Sequence, residues 1–256
     1  NNNPNAQLLN LIYEFRIFDI DTQHSFQETW STLKKEFEAK VKFAKPLPNG
    51  QNFLNARNMD APIELFTAAV AGGGFLNGIP DHDGVLRTVP LFIKYKDSIY
   101  PHIAVASILD LYKPQKISFD PGRFFILHNA NVDGILQDIH IPIDERGLTL
   151  VNWAGRWDDT YQHISGADIY RLYYLRDSLA HAEDNPNEAI DLKKQLEENE
   201  TKLIKKVKDS ICIIGLTAAG THDFNPTPYE SAYPMVGTHG NVLNSIITKQ
   251  FITKAP

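Results

Sequence analysis

Asp81, Asp83 and Arg87 are the first residues in the chain whose types and spacing could do chemistry. The run Asp81-His82-Asp83-Gly84-Val85-Leu86-Arg87 sets two carboxylates just before a glycine. A calcium loop of the EF-hand kind needs a further oxygen ligand where Val85 stands, and a glutamate downstream. Neither is in place. The run therefore reads as an acidic turn whose carboxylates cap backbone amides. Arg87 follows at a distance that lets its fork bond Asp83 or Asp81 across the turn. A structural clasp is expected first and a ligand anchor second.

His222-Asp223 raises a different chemistry, that of a metal-dependent phosphohydrolase, which needs further histidine and aspartate ligands converging on the ion. His239 and the Asp81/Asp83 pair are the candidates. No complete acid–base or nucleophile constellation stands in the chain, so this domain is expected to carry no catalysis and no cofactor. The stretch Thr217 to Thr221 follows a strand-like run, Ile211 to Gly215. In open α/β sheets ligands bind beyond the carboxyl ends of strands. Ala218-Ala219-Gly220 is small enough to turn backbone amides toward a ligand, though it lacks the spacing of a phosphate-binding loop. A plain strand-to-loop turn and a pocket are both open readings. Asp223, Thr227 and Pro228 share this loop. Asn77 is expected to tie two loops through its side chain. Trp153 and Trp157 read as a pocket cover or, more commonly for such rings, as core.

These residues must be held by regular elements. Phe15 to Ile20 alternates apolar positions as a short strand does. Ser25-Phe26-Gln27-Glu28 is a capping box, opening a helix with Phe26, Trp30, Leu33 and Phe37 on one face. Val41 to Ala44 reads as a strand stopped by Pro46 and Pro48. Asp60 caps a helix with Pro62 in its first turn, which runs through Leu65 and Val70 into Gly72-Gly73-Gly74. Arg87 to Tyr95 is strand-like, with a turn at Lys96-Asp97-Ser98. A helix follows from Pro101, with Ile103, Val105, Ala106, Leu109 and Tyr112 on its apolar side. Phe124 to Leu127, Ile139 to Ile143 and Leu148 to Trp153 read as strands. Ile211 to Gly215 is the clearest strand of all, and Gly237 to Lys249 a closing helix.

Ser165 and Asn185 open two more helices by cap chemistry. The second, Pro186 to Lys208, repeats Ala189, Leu192, Leu196, Leu203 and Val207 at three- and four-residue steps. Its acids lie early and its lysines late, which suits the helix dipole. It reads as an amphipathic helix packed on the domain, or as a dimerisation seam. The fold class is α/β: a mixed, partly parallel central sheet flanked by helices, with a helical hairpin inserted at about 165–208 in a single domain spanning 1–256.

With 256 residues, the chain can make one large domain or two small ones, and roughly 70–75% of its surface can be buried without a metal or disulfide. The formal net charge is −6 with no basic run, so nucleic-acid binding has little support. Cys212 is the single cysteine. Its isoleucine neighbours predict a buried core thiol. No stretch reaches the roughly 18 apolar residues of a membrane span. The start, Asn1-Asn2-Asn3-Pro4, is polar and unlike a signal peptide.

Two phrases carry a resemblance. The first is Gly74-Phe75-Leu76-Asn77, then Asp81 to Arg87, then Tyr100-Pro101. The second is Ile211-Cys212-Ile213-Ile214-Gly215-Leu216-Thr217-Ala218, His222-Asp223, Pro226-Thr227-Pro228, Gly237-Thr238-His239 and Asn241. Together they resemble the CHASE2 domain, the extracytoplasmic sensory domain of bacterial membrane receptors, over roughly Leu33 to Ile252. Leu148 to Gly155 is similar to that family's central segment, which usually ends in Asn-Tyr-Arg-Gly. Here Asn152 is kept, Trp153 and Ala154 replace the aromatic and basic pair, and Arg156 offers the charge one position on.

The resemblance implies a domain cut from a longer protein, flanked by membrane spans, with a cyclase or kinase as output. It implies a homodimer that senses an unknown small-molecule or protein signal, without nucleic acid. The signature residues it offers for ligand binding are Asn77, Asp81, Asp83, Arg87, Asn152, Arg156, Thr217, Asp223, Thr227 and His239. The rival readings are a protein-interaction or dimerisation module without a small ligand, and a metal-dependent hydrolase.

Overall fold

The computed structural model describes residues 45–46, 48–60, 62, 70, 72–182, 185–217 and 223–253. Along them run β1 (Lys45–Pro46), β2 (Leu54–Asn55), β3 (Thr88–Pro90), β4 (Phe92–Tyr95), β5 (Ser98–Pro101), α1 (Ile103–Tyr112), β6 (Lys116–Asp120), β7 (Phe124–Val132), β8 (Ile135–Pro142) and β9 (Leu148–Leu150). After them come α2 (Trp157–Thr160), α3 (Gly166–Ala180), α4 (Pro186–Val207), β10 (Phe224–Asn225), β11 (Tyr233–Pro234) and α5 (Val236–Thr248). The expected strands at Phe15–Ile20 and Val41–Ala44, the Ser25 capping box with its helix, most of the helix after Asp60, the segment Ala218–Gly220 and His222 lie outside the described residues.

The fold is mixed α/β, and its main sheet is mixed too. The strand order is β1-β5-β4-β2, with β2 parallel to β4 and the other pairs antiparallel. Lys96 takes a left-handed φ of 54° in the tight turn that pairs Tyr95 with Ser98, where the sequence places a turn. β6, β7 and β8 form an antiparallel meander. Its β7–β8 turn is Asp133-Gly134, both at positive φ (52° and 86°), the backbone that a two-residue hairpin of right-twisted strands requires.

One core joins these pieces. Phe92 and Phe125 meet edge to face at 4.8 Å, and Phe53 and Phe119 complete the aromatic cluster. α1 buries Ala104, Val105, Ile108 and Leu109, while α5 buries Val242, Leu243 and Ile246. The two helices pack on each other. His102 caps α1, its ring Nδ1 accepting from the Ala104 amide at 3.2 Å.

The chain divides into two compact units, Asp158–Cys212 and the rest of the described residues. In the first, α3 and α4 form the expected helical hairpin. Ser165 Oγ accepts from the Ala167 amide at 3.2 Å, and Asn185 caps α4 with Pro186 in the first turn. Leu172 and Leu175 are the buried residues of α3, and Ala189, Leu192, Leu196, Leu203 and Val207 of α4 are half-buried. An ion pair at 2.7 Å joins Arg176 to Glu200 across the pair.

One expectation fails plainly. Ile211 to Gly215 forms no strand, and Ile211, Ile213, Ile214 and Leu216 are exposed. Cys212 is exposed too, not a buried thiol. Apolar β-branched residues fit a pleated, half-buried surface only where a neighbouring strand supplies the ladder. Among the described residues none pairs with this run.

Candidate functional site

Arg87 closes the acidic turn. Its Nη1 donates to Asp81 Oδ2 and to Asp83 Oδ1, both at 2.9 Å, and its Nη2 donates to Asp83 Oδ2 at 2.8 Å. Asp83 Oδ1 also accepts the Val85 amide at 3.1 Å. Gly84 makes the bend possible with a φ of 81°, a conformation side-chain-bearing residues rarely adopt. The Arg87 bonds, then the Val85 amide, hold the Asp83 carboxyl well below the usual carboxylate range. Asp83 and Asp81 push the guanidinium up in turn. The fork lies at the surface, so its strength is screened by water and salt. Chemically, such a fork can exchange an internal carboxylate for the carboxylate or phosphate of a ligand.

Two other segments meet this turn. The Leu86 amide donates to the Pro226 carbonyl at 2.8 Å, and the Val151 amide to the Arg87 carbonyl at 2.9 Å. The second bond continues the antiparallel pairing of β3 with β9, in which Thr88 faces Leu150. Asn152 then reaches the C-terminal segment, donating from Nδ2 to the Gln250 carbonyl at 3.1 Å. Leu150 forms a bridge with Ile252. Residues far apart in sequence are thus joined in one loop cluster: the acidic turn, the segment after β9, the loop around Pro226 and the chain after α5.

Other signature residues have local duties. Thr227 is buried and holds its own turn: its Oγ1 accepts from the Tyr229 and Glu230 amides at 3.4 and 3.3 Å. Glu230 Oε1 accepts the Trp157 amide at 3.0 Å, at the start of α2. Asp223 offers its carbonyl to the Met235 amide at 3.0 Å. Partial shielding of its carboxyl raises that group's pKa, although the residue as a whole is exposed. Arg156 is exposed.

His239 is buried and bonded, ring to ring, to buried His102. It does not converge with Asp81 and Asp83 as a phosphohydrolase would need. Among the described residues no group of three His, Cys, Asp or Glu is placed to hold a metal ion.

Two expected residues stand apart. Asn77 is exposed and makes no side-chain hydrogen bond among the described residues. Its segment is instead joined by backbone to the start of α1, through Phe75 amide to Pro101 carbonyl (3.1 Å) and Ile103 amide to Phe75 carbonyl (3.0 Å). Thr217 is exposed at the end of the unpaired run. Trp153 and Trp157 are packing residues rather than a pocket cover. Both rings stand edge-on to Tyr233, at 4.9 and 5.8 Å.

Sequence reasoning missed His102 and Glu230, and it placed Asn241 in the second phrase without giving it a role. Asn241 is fully buried. Its Oδ1 accepts the Ala154 amide at 2.8 Å, and its Nδ2 donates to Tyr233 Oη at 2.9 Å and the Gly237 carbonyl at 2.8 Å. One signal could have given its role. Thr238, Asn241 and Ser245 make a polar stripe at helical spacing on a face otherwise apolar, and buried polar groups take hydrogen bonds.

Comparison with curated proteins and with solved structures finds no match. The model of the CHASE2 domain matches residues 5–256, nearly the whole chain. The two phrases that carry the family's wording are the two that the fold joins, through Leu86 and Pro226, beside the Arg87 fork. The chain therefore belongs to the CHASE2 domain family, a family of extracellular sensory domains.

Proposed function

We propose that this domain is the signal-sensing part of a membrane-anchored bacterial receptor. It lies outside the cytoplasm, between membrane spans, and drives a cyclase or histidine kinase through ligand or partner binding. The single observation that carries the reading is the family match across residues 5–256. The loop cluster supports it. An exposed guanidinium fork sits on a backbone path that leads through Val151 and Asn152 to Gln250, near the chain's C-terminal end. A ligand that draws Arg87 away from its carboxylates would bear directly on that path. Among the described residues no helix is long and apolar enough to cross a membrane.

A sensor works by binding one conformation better than another. Moving an equilibrium from 1:99 to 99:1 takes about 5.5 kcal/mol of differential binding. The test is a thermal-shift screen with small anionic metabolites. A ligand at 100 times its Kd stabilises the folded state by about 2.7 kcal/mol. The expected result is stabilisation by at least one compound, lost in Arg87→Ala and Asp223→Ala variants that still fold. No response across a broad set counts against small-molecule sensing and leaves a protein signal as the alternative. Sequencing the gene beyond both ends tests the receptor context: apolar segments of roughly 18 residues or more and a cyclase or kinase are expected.

A further inference from the structure

The helical hairpin carries an outer surface that its own contacts leave uncovered. α3 turns Leu172 and Leu175 inward, yet Ile169, Tyr170, Tyr173 and Tyr174 are all exposed, Tyr170 by 67%. The Tyr170 and Tyr173 rings lie 6.2 Å apart. On α4 the half-buried leucines face α3, whereas Ile190 and Ile204 are exposed by 69% and 56%. The Arg176–Glu200 ion pair shows which residues share a level. One turn beyond it stand Tyr173 on α3 and Ile204 on α4, both exposed. Exposed tyrosines with large amphipathic rings are what interface hot spots are built from.

The sequence of α4 is self-complementary. Pro186–Glu200 holds five acids and two lysines, a charge of −3, and Thr201–Lys208 holds four lysines and no acid, a charge of +4. Two such helices repel when parallel and attract when antiparallel. Ile190 and Ile204 lie symmetrically about Glu197, separated by about 21 Å along the axis at 1.5 Å per residue, and they differ by only about 40° around it. An antiparallel pairing centred on Glu197 therefore sets Ile190 against Ile204 of the partner subunit, and does so twice. This is what a two-fold interface demands, because each contact must recur with the partners exchanged. The area is also of the right order. A hairpin face about 33 Å long and 20 Å wide has a projected area of roughly 650 Å², against the ~800 Å² per partner of a standard interface.

We infer that the α3–α4 hairpin is the dimer interface of this domain, taking as its occupant the same hairpin of a second copy, α4 antiparallel to α4, in a four-helix arrangement. This rests on the sensor reading only for its purpose. The leucine seam of α4, a candidate for the same role on sequence grounds, is occupied by α3.

The experiment is sedimentation velocity on the full chain from low micromolar to millimolar concentration, with site-directed cross-linking in a Cys212→Ser background. A reversible dimer is expected, weakened by raised salt and lost in Tyr173→Glu/Ile204→Glu with an unchanged circular-dichroism spectrum. Glu197→Cys is expected to form a disulfide-linked dimer with itself. Ile190→Cys is expected to link only to a differently tagged Ile204→Cys chain. A chain monomeric throughout, a dimer indifferent to the glutamate substitutions, or self-linking by Ile190→Cys would each overturn the proposal. A monomer that still gains stability from a ligand would sink the interface and leave the sensor standing. A dimer that responds to no ligand would do the reverse.

Discussion

The ring of His239 receives a hydrogen bond from the ring of His102, Nδ1 to Nε2 at 3.2 Å, inside the contact between α1 and α5. The direction follows from the cap. His102 Nδ1 accepts the Ala104 amide, so its proton must sit on Nε2 and point at His239. Both rings are thereby neutral. Burial lowers both pKa values, His239 to about 4 and His102 well below its ordinary 6.5, where His239 adds to the effect.

Stability should therefore fall as the medium becomes acid. The unfolded chain takes protons on these rings near pH 6.5, whereas folded His239 resists down to about pH 4. The contribution is fully present above about pH 6.5 and is lost progressively between there and pH 4. At roughly 1.4 kcal/mol per unit, His239 alone amounts to about 3 kcal/mol over that window. Urea midpoints at a series of pH values check the slope, and an NMR titration of His239 checks its origin. A His239 ring that titrates near 6.5 in the folded protein would refute the account.

Asn241 should be among the costliest polar residues to remove. Truncation in Asn241→Ala leaves the Tyr233 hydroxyl and the Gly237 carbonyl without this buried partner. A lost partner of this kind costs roughly 1–3 kcal/mol. Chemical denaturation of the variant measures it, and a change under ~0.5 kcal/mol would count as neutral surface behaviour.

Gly74 permits the approach of its strand-like segment to the start of α1. A Cβ there would meet the Ile103 backbone at 2.7 Å and the Pro101 carbonyl at 2.8 Å. Backbone cannot swing aside as a side chain can, so Gly74→Ala should cost about 1–3 kcal/mol. The melting temperature should fall by several degrees, at roughly 2–4 °C per kcal/mol for a domain of this size.

The Arg87 fork should keep Asp83 ionised at a pH where a free aspartate, with its pKa of about 3.9, takes its proton. Carbon-detected NMR of the Asp83 carboxyl is the measurement. Arg87→Ala should bring the titration back toward the ordinary value. The stability that this depressed pKa contributes is present above about pH 3.9 and is lost as pH falls through the folded value. An unchanged titration in the variant would mean that the Val85 amide, not the fork, holds the charge.

Cys212 should react with a thiol reagent in the native state within minutes, since the residue is exposed. Labelling that requires denaturant would contradict the placement of the run from Ile211 to Leu216.

Much of the local structure is legible in the sequence. Pro101 before an apolar helical pattern foretold α1. Ser165 and Asn185 foretold the starts of α3 and α4, since cap side chains act on amides only two or three residues away. Arg87 lies four residues from Asp83, within reach of its own fork, so the clasp could be written from spacing alone. The run Ile211 to Gly215 misled because a strand is not a property of its own residues: the same apolar pattern is core with a partner strand and surface without one. Asn77 misled for a related reason, since backbone bonds through Phe75 hold its segment and leave its side chain exposed.

The amino-acid sequence alone determined the family, the caps of α3 and α4, the turn at Lys96-Asp97 and the charge ordering of α4, because each depends on neighbours within a few residues or on wording that a family repeats. Only the tertiary structure decided that His102 meets His239, that Leu86 meets Pro226, that Val151 continues from Arg87, and which faces of the hairpin stay open. Those contacts join residues far apart in the chain. Side-chain type says what such a residue needs, a hydrogen-bond partner or a dry neighbour, and the packed fold selects which one supplies it.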